Sequence, residues 1–123
     1  MNSKILVYAC GMLAISATTA QARSSQWWFV AQGAERVLFV DAESIERDGD
    51  VVRYQASQIL REPGNPAASI RAYMVTDCQK RTETWDSALR YDAGDKRLDE
   101  AALASVPETV MPGTLGGAQL QFV

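Results

Sequence analysis

The stretch RVLFVDAESIERDGDVVRYQ, residues 36–55, decides how the chain is read. Five acidic side chains (Asp41, Glu43, Glu46, Asp48 and Asp50) stand between two runs of strand-forming residues. In Arg36–Val40, Val37 and Phe39 alternate with Leu38 and Val40, so both faces are apolar and the strand is expected to be at least partly covered on both. Asp41-Ala42-Glu43-Ser44-Ile45 then predicts a single helical turn, with Asp41 as its cap and Ile45 as its anchor. Asp48-Gly49-Asp50 reverses the chain, because glycine accepts the positive φ of a tight turn. A calcium loop needs oxygen ligands at fixed spacing around its glycine and a glutamate six residues later. With Gly49 as that glycine, Gln55 falls where the glutamate belongs, and strand rather than helix follows. The acids are therefore read as a cap and a solvated turn between strands.

Outward from this stretch the pattern is that of an antiparallel sheet. Trp27–Ala31 reads as a first strand. Val51–Arg61 is a long strand, and Glu62–Ser69 is a loop because Pro63 and Pro66 cannot sit inside a ladder. Ile70–Cys78 alternates, with Ile70, Ala72, Met74 and Thr76 against Arg71, Tyr73, Val75 and Asp77. Thr82–Tyr91 alternates after a short turn, with Trp85, Leu89 and Tyr91 on one face and Glu83 beside them. Arg97–Val106 is ambiguous between strand and helix, and Pro107 and Pro112 bound a loop. A short C-terminal helix is expected after Thr114, with Leu115, Ala118 and Phe122 on one face. Gly116 and Gly117 cost that helix roughly 2 kcal/mol relative to alanines, so it needs packing to form. The expected fold is a single small α+β domain: an antiparallel sheet of about five or six strands with a short C-terminal helix packed on one face.

The start of the chain has a different character. Lys4, an apolar run of about ten residues to Ile15, and a closing Ala20-Gln21-Ala22 make a secretory signal peptide over residues 1–22, leaving a domain over 23–123. The run is too short to span a bilayer, which takes about 20 residues. Val7-Tyr8-Ala9-Cys10 faintly resembles a lipoprotein cleavage box, but cutting there would leave almost no apolar segment. No integral membrane segment is expected after cleavage. Loss of Lys4 takes the formal charge from −3 to about −4. No basic stripe favours nucleic acid, and the acidic excess disfavours anionic membrane surfaces.

Chemistry is sparsely provided for. The chain has no histidine, which removes histidine triads, the usual zinc ligand sets and most general-base catalysis near neutral pH. Cys78 is the one cysteine left after the leader, and Lys80 and Arg81 are its nearest cations. It lacks the base or second cysteine that a nucleophile or redox centre uses, so it is read as a disulfide half or a buried thiol. No catalytic group, metal or cofactor is expected. The tryptophans are the candidate partner-binding residues: Trp27, Trp28 and Trp85. Neighbours on a strand point to opposite faces, so Trp27 and Trp28 cannot both be buried in one layer.

Phe39 to Arg53 resembles the "y-V-D-x-x-S-I-r-r-d-G-n-x-V-r" signature of the surface-adhesin protein E-like family, with Asp41, Ser44, Ile45, Asp48 and Gly49 at its fixed positions. Glu62-Pro63, Tyr73 through Asp77-Cys78 with Lys80-Arg81, and Pro112-Gly113-Thr114 match further, so the resemblance covers nearly all of residues 27–123. It implies a small exported domain with an antiparallel sheet and a C-terminal helix. It also implies a disulfide from the Asp-Cys strand to a cysteine at the helix end. Cys78 takes the first of those positions, and residues 23–123 hold no second cysteine. The thiol is left free, bridged between chains, or paired beyond Val123. The functional expectation is a non-enzymatic exported binding module of a Gram-negative bacterium, in the periplasm or on the outer surface, with a host matrix or bacterial envelope protein as partner. The alternative is a periplasmic structural or inhibitor-like protein whose partner lies in the envelope.

Overall fold

The computed structural model describes residues 25–123, so the leader expected over residues 1–22 lies outside the described residues. Seven strands and one helix follow in chain order: β1 (Trp27–Gln32), β2 (Arg36–Asp41), β3 (Glu46–Asp48), β4 (Val51–Leu60), β5 (Ser69–Asp77), β6 (Thr82–Tyr91), β7 (Glu108–Thr109) and α1 (Leu115–Phe122). They form one antiparallel sheet in the order β1-β2-β4-β5-β6-β7, with β3 also paired to β4. The α+β sheet-and-helix expectation holds. The two strands that reading missed are β3 and β7, each three residues or fewer. A run that short carries too few alternations to be legible.

The 36–55 stretch folds as expected. Ala42–Ser44 is a single 3₁₀ turn capped by Asp41, whose Oδ1 accepts from Glu43 N at 3.2 Å and from Gln26 N at 2.8 Å. The Ser44 hydroxyl donates to Asp41 O at 2.7 Å and accepts from Gln55 N at 2.8 Å, stitching the turn to β4. Gly49 has φ +59° in the turn between β3 and β4, a conformation that a side chain would strain.

Alternation along β4 sends Val52, Tyr54, Ala56 and Leu60 to a buried face and Arg53, Gln55, Ser57 and Ile59 to the other. The buried face joins Val40 of β2, Ile70, Ala72 and Met74 of β5, and Ala88 of β6 with Val123 in one core. On β6, Met74 lies opposite Trp85 but Tyr73 lies opposite Ser87, so Asp86 is an unopposed bulge residue. The extra residue reverses the alternation. Trp85 and Ala88 therefore share the core side, while Leu89 and Tyr91 lie opposite Arg71 and Ser69 on the other face. This corrects the grouping of Trp85 with Leu89 and Tyr91. Arg97–Val106 forms no helix. It runs along the outer edge of β6, with Ala88 and Leu103 exchanging backbone bonds at 2.6 and 2.8 Å. Asp99 accepts from Arg90 Nη2 at 2.7 Å and from its backbone N at 2.9 Å.

Helix α1 closes the core, but not on the expected stripe. Thr114 caps it as expected, accepting from Gly117 N at 3.1 Å. Its buried positions are Gly117 and Gln119, whereas Phe122 is exposed. The reason is a buried polar contact. Gln119 Nε2 donates to Tyr54 Oη at 2.8 Å and to Glu83 Oε1 at 3.3 Å. Tyr54 Oη also shares a hydrogen bond with Thr76 Oγ1 at 2.8 Å. Tyr54 and Thr76 are fully buried, so each bond left unmade there would cost about 1–3 kcal/mol. Seating Gln119 this deep brings the helix backbone close: a Cβ on Gly117 would stand 2.6 Å from Met111 O. The paired glycines that weaken the isolated helix are what let it dock.

Two outcomes follow from this packing. Gly117→Ala is expected to lower stability by about 1–3 kcal/mol in chemical denaturation, although alanine is the better helix former, because the clash is with backbone. Burial first, and the neighbouring Glu108 carboxylate second, push the Glu83 carboxyl from 4.5 up to about 7. The folded state therefore holds a proton that the unfolded chain has released between those values. Glu83's contribution to stability is full below 4.5, declines as the pH rises to about 7, and is lost above it. Glu83→Gln keeps an acceptor for Gln119 and removes the charge. It should raise stability by about 1–2 kcal/mol near pH 8, after allowing for solvent screening, and add nothing near pH 4, as read from thermal melts across pH.

Candidate functional site

With α1 on one side, much of the opposite face of the sheet is left to solvent among the described residues, although Val37 and Asp41 of β2 are buried on it. It is built by the second set of each alternation: Trp27 and Phe29 of β1, Phe39 of β2, Gln55, Ser57 and Ile59 of β4, Arg71 and Tyr73 of β5, and Ser87 of β6. Trp27 is 41% exposed, Phe29 55% and Ile59 40%. Single exposed apolar residues are ordinary, but a contiguous set on one face is a mark of an interaction surface. The rings of Phe29 and Phe39 meet edge to face, with centroids 6.2 Å apart and planes at 76°, which holds β1 aromatics over β2.

A groove of about 460 Å³ runs across this face between Trp27, Phe39, Ile59 and Arg71, floored by Gln55 and Ser57. A smaller hollow of about 200 Å³ continues it past Tyr73 and Ser87. Among the described residues, Arg71 is the only charged one lining either. Its Cζ lies 4.8 Å from the centroid of the Tyr91 ring, a cation–π contact that orients the guanidinium. Its nearest carboxylate is Asp95 at 3.8 Å, with both side chains more than half exposed, so that pairing is weak.

The candidate residues of the sequence fall into four places. Trp27 lies on the open face, opposite Asp41 in the β1–β2 ladder. Trp28 is opposite Val40, so it points to the helix side, yet it is 56% exposed because β1 is the last strand of the sheet. Trp85 is half-buried against the core and is not brought together with them. Cys78 forms no disulfide among the described residues; it is half-buried and packed against the same core, with its backbone N donating to Asp50 O at 2.8 Å. The signature residues act as scaffold: Asp41 and Ser44 bond the turn, Ile45 packs on the core, and Asp48 and Gly49 make the reversal into β4. Among the described residues, no three acidic or cysteine side chains gather as metal ligands, and no helix is long and apolar enough to cross a membrane. Two titratable groups have strongly raised values, Glu83 at about 7 and Tyr54 at about 12, the latter chiefly from burial. Both serve the seating of α1 rather than the open face.

Sequence reasoning missed Arg71, Gln55, Phe39 and Ile59 as site residues. The available signal was alternation: once the core set of β4 and β5 is fixed, these are the members of the other set.

The fold is similar to crystal structures of protein E from Haemophilus influenzae. One has a TM-score of 0.58 at 20% identity, covering 78% of this chain and 81% of that one. A second crystal form has a TM-score of 0.54 at 19% identity, covering 76% and 89%. A search of curated protein sequences gives no match. The profile of the family described as surface-adhesin protein E matches residues 27–123, the same span that carries the sheet, the signature turn and the helix. The chain therefore belongs to the surface-adhesin protein E family.

Proposed function

We propose that this protein is a non-enzymatic, exported binding module of the bacterial envelope that contacts a protein partner through the open face of its sheet and the β1 edge. The observation that carries the reading is the pair of exposed aromatic side chains Trp27 and Phe29 on the open face beside the groove of Arg71, with Trp28 exposed at the same sheet edge. Aromatic anchors beside an arginine are the residue types that dominate the energetics of protein interfaces. Membership of an adhesin family supports the same reading. The edge position of β1 adds a second mode of contact, since a terminal strand can pair with an extended segment of another chain. Trp85 packs on the core, so the proposed contact uses Trp27 and Trp28 and leaves Trp85 a structural role. The periplasmic alternative uses the same surface with an envelope protein as partner. Protection of a tagged copy from protease added to whole cells separates the two: full protection indicates a periplasmic protein, and digestion indicates a surface one.

Replacing Trp27 and Phe29 together by serine should leave the fold intact, since neither packs into the core beneath α1. It should reduce capture of the native partner from host matrix or envelope extract by at least about tenfold, in line with the loss of two interface anchors. Unchanged capture by a folded double variant would refute the reading.

A further inference from the structure

We propose that the open-face groove takes an extended acidic peptide segment of the protein partner, seating a carboxylate on Arg71 and a neighbouring apolar side chain between Trp27, Phe39 and Ile59. The inference rests on the protein-binding reading and names the chemistry of the partner.

Charge complementarity is its first support. Arg71 is the one charged side chain lining the groove among the described residues. Its guanidinium makes no hydrogen bond among the described residues, and its contact with Asp95 is 3.8 Å through open solvent. The stack on Tyr91 at 4.8 Å holds the planar fork in place, so little freedom is lost when a carboxylate arrives. A carboxylate matches that fork with two parallel hydrogen bonds.

The walls and floor supply the rest. Trp27, Phe39 and Ile59 line the groove on its apolar side, and Gln55 and Ser57 offer a donor and acceptors for peptide amides. Trp27 and Phe39 could also carry a sugar ring, so an acidic sugar is the competing ligand that the test includes. Beyond Gln55 and Tyr73 the surface turns acidic, in a hollow of about 170 Å³ that includes Glu43. That end repels a carboxylate, which sets the orientation: the acidic residue of the segment lies toward Arg71.

The test uses the exported chain and two blocked tripeptides, Ac-Leu-Asp-Phe-NH2 and its neutral twin Ac-Leu-Asn-Phe-NH2. Binding is followed by tryptophan fluorescence and by the Arg71 side-chain N–H resonance. The expected result is a preference of about tenfold for the acidic peptide, lost in high salt and in Arg71→Gln, and partly kept in Arg71→Lys. Thermal melts of each variant establish that it is folded, and the salt dependence reads the charge term in the unaltered protein. Equal binding of the twins, or a shift of the Arg71 resonance by galacturonate but not by the acidic peptide, would overturn the proposal. The native partner separates this proposal from its parent. Full capture by Arg71→Gln with loss in the Trp27/Phe29 variant rejects the acidic-segment proposal alone. Full capture by both variants rejects the binding surface itself.

Discussion

The side-chain amide of Gln119 is the contact on which the arrangement of this domain depends. It donates to the phenol of Tyr54 and to the carboxyl of Glu83, and the phenol is bonded in turn to Thr76. Four segments of chain, β4, β5, β6 and α1, are thereby tied at one buried point. Nonpolar packing alone would allow an eight-residue helix to slide or rotate on the sheet. Directional bonds in a site from which water is excluded penalise every other register, because each would leave a buried polar group unpaired. Gly117, where a side chain would clash with Met111 O in the turn before the helix, is the geometric condition for that seat.

Fixing the helix on one face has a consequence for the other. An antiparallel sheet needs only one covered face. The helix and the core of Val40, Val52, Tyr54, Ile70 and Met74 satisfy that need, so the second face is free to carry residues chosen for contact. The two edges are treated differently too. The β6 edge is covered by the 97–109 segment, held by the Arg90–Asp99 pair and the Ala88–Leu103 bridge. The β1 edge is the end of the sheet and bears Trp28 and Phe29 exposed. Stability is concentrated on one side of the sheet, and recognition is proposed for the other.

The sequence disclosed the frame of this structure and little of its finer logic. The 36–55 stretch was legible because its signals are local: a capping aspartate, a turn glycine and two alternating runs. The hairpin of β5 and β6 was legible for the same reason. The facing of β6 was not, since the Asp86 bulge is visible only against β5 and one unopposed residue inverts every side chain beyond it. The buried face of α1 was misjudged because apolar residues were expected inside, whereas a glutamine lies there and Phe122 lies out. Nothing local to residues 115–123 announces a tyrosine waiting across the sheet. The acidic cluster invited a ligand reading, yet Asp41 spends its carboxylate on backbone N–H groups. Arg71, which the tryptophan-centred reading passed over, lines both hollows of the open face.

The division of labour between the two faces is open to a direct measurement in living cells. A photo-crosslinking amino acid placed at Ile59 on the open face, and separately at Phe122 on the exposed side of the helix, reports which surface meets another protein. Adducts of partner size from position 59 and none from 122 are the result expected if the helix face is structural and the open face binds. Adducts from 122 with none from 59 would contradict the account.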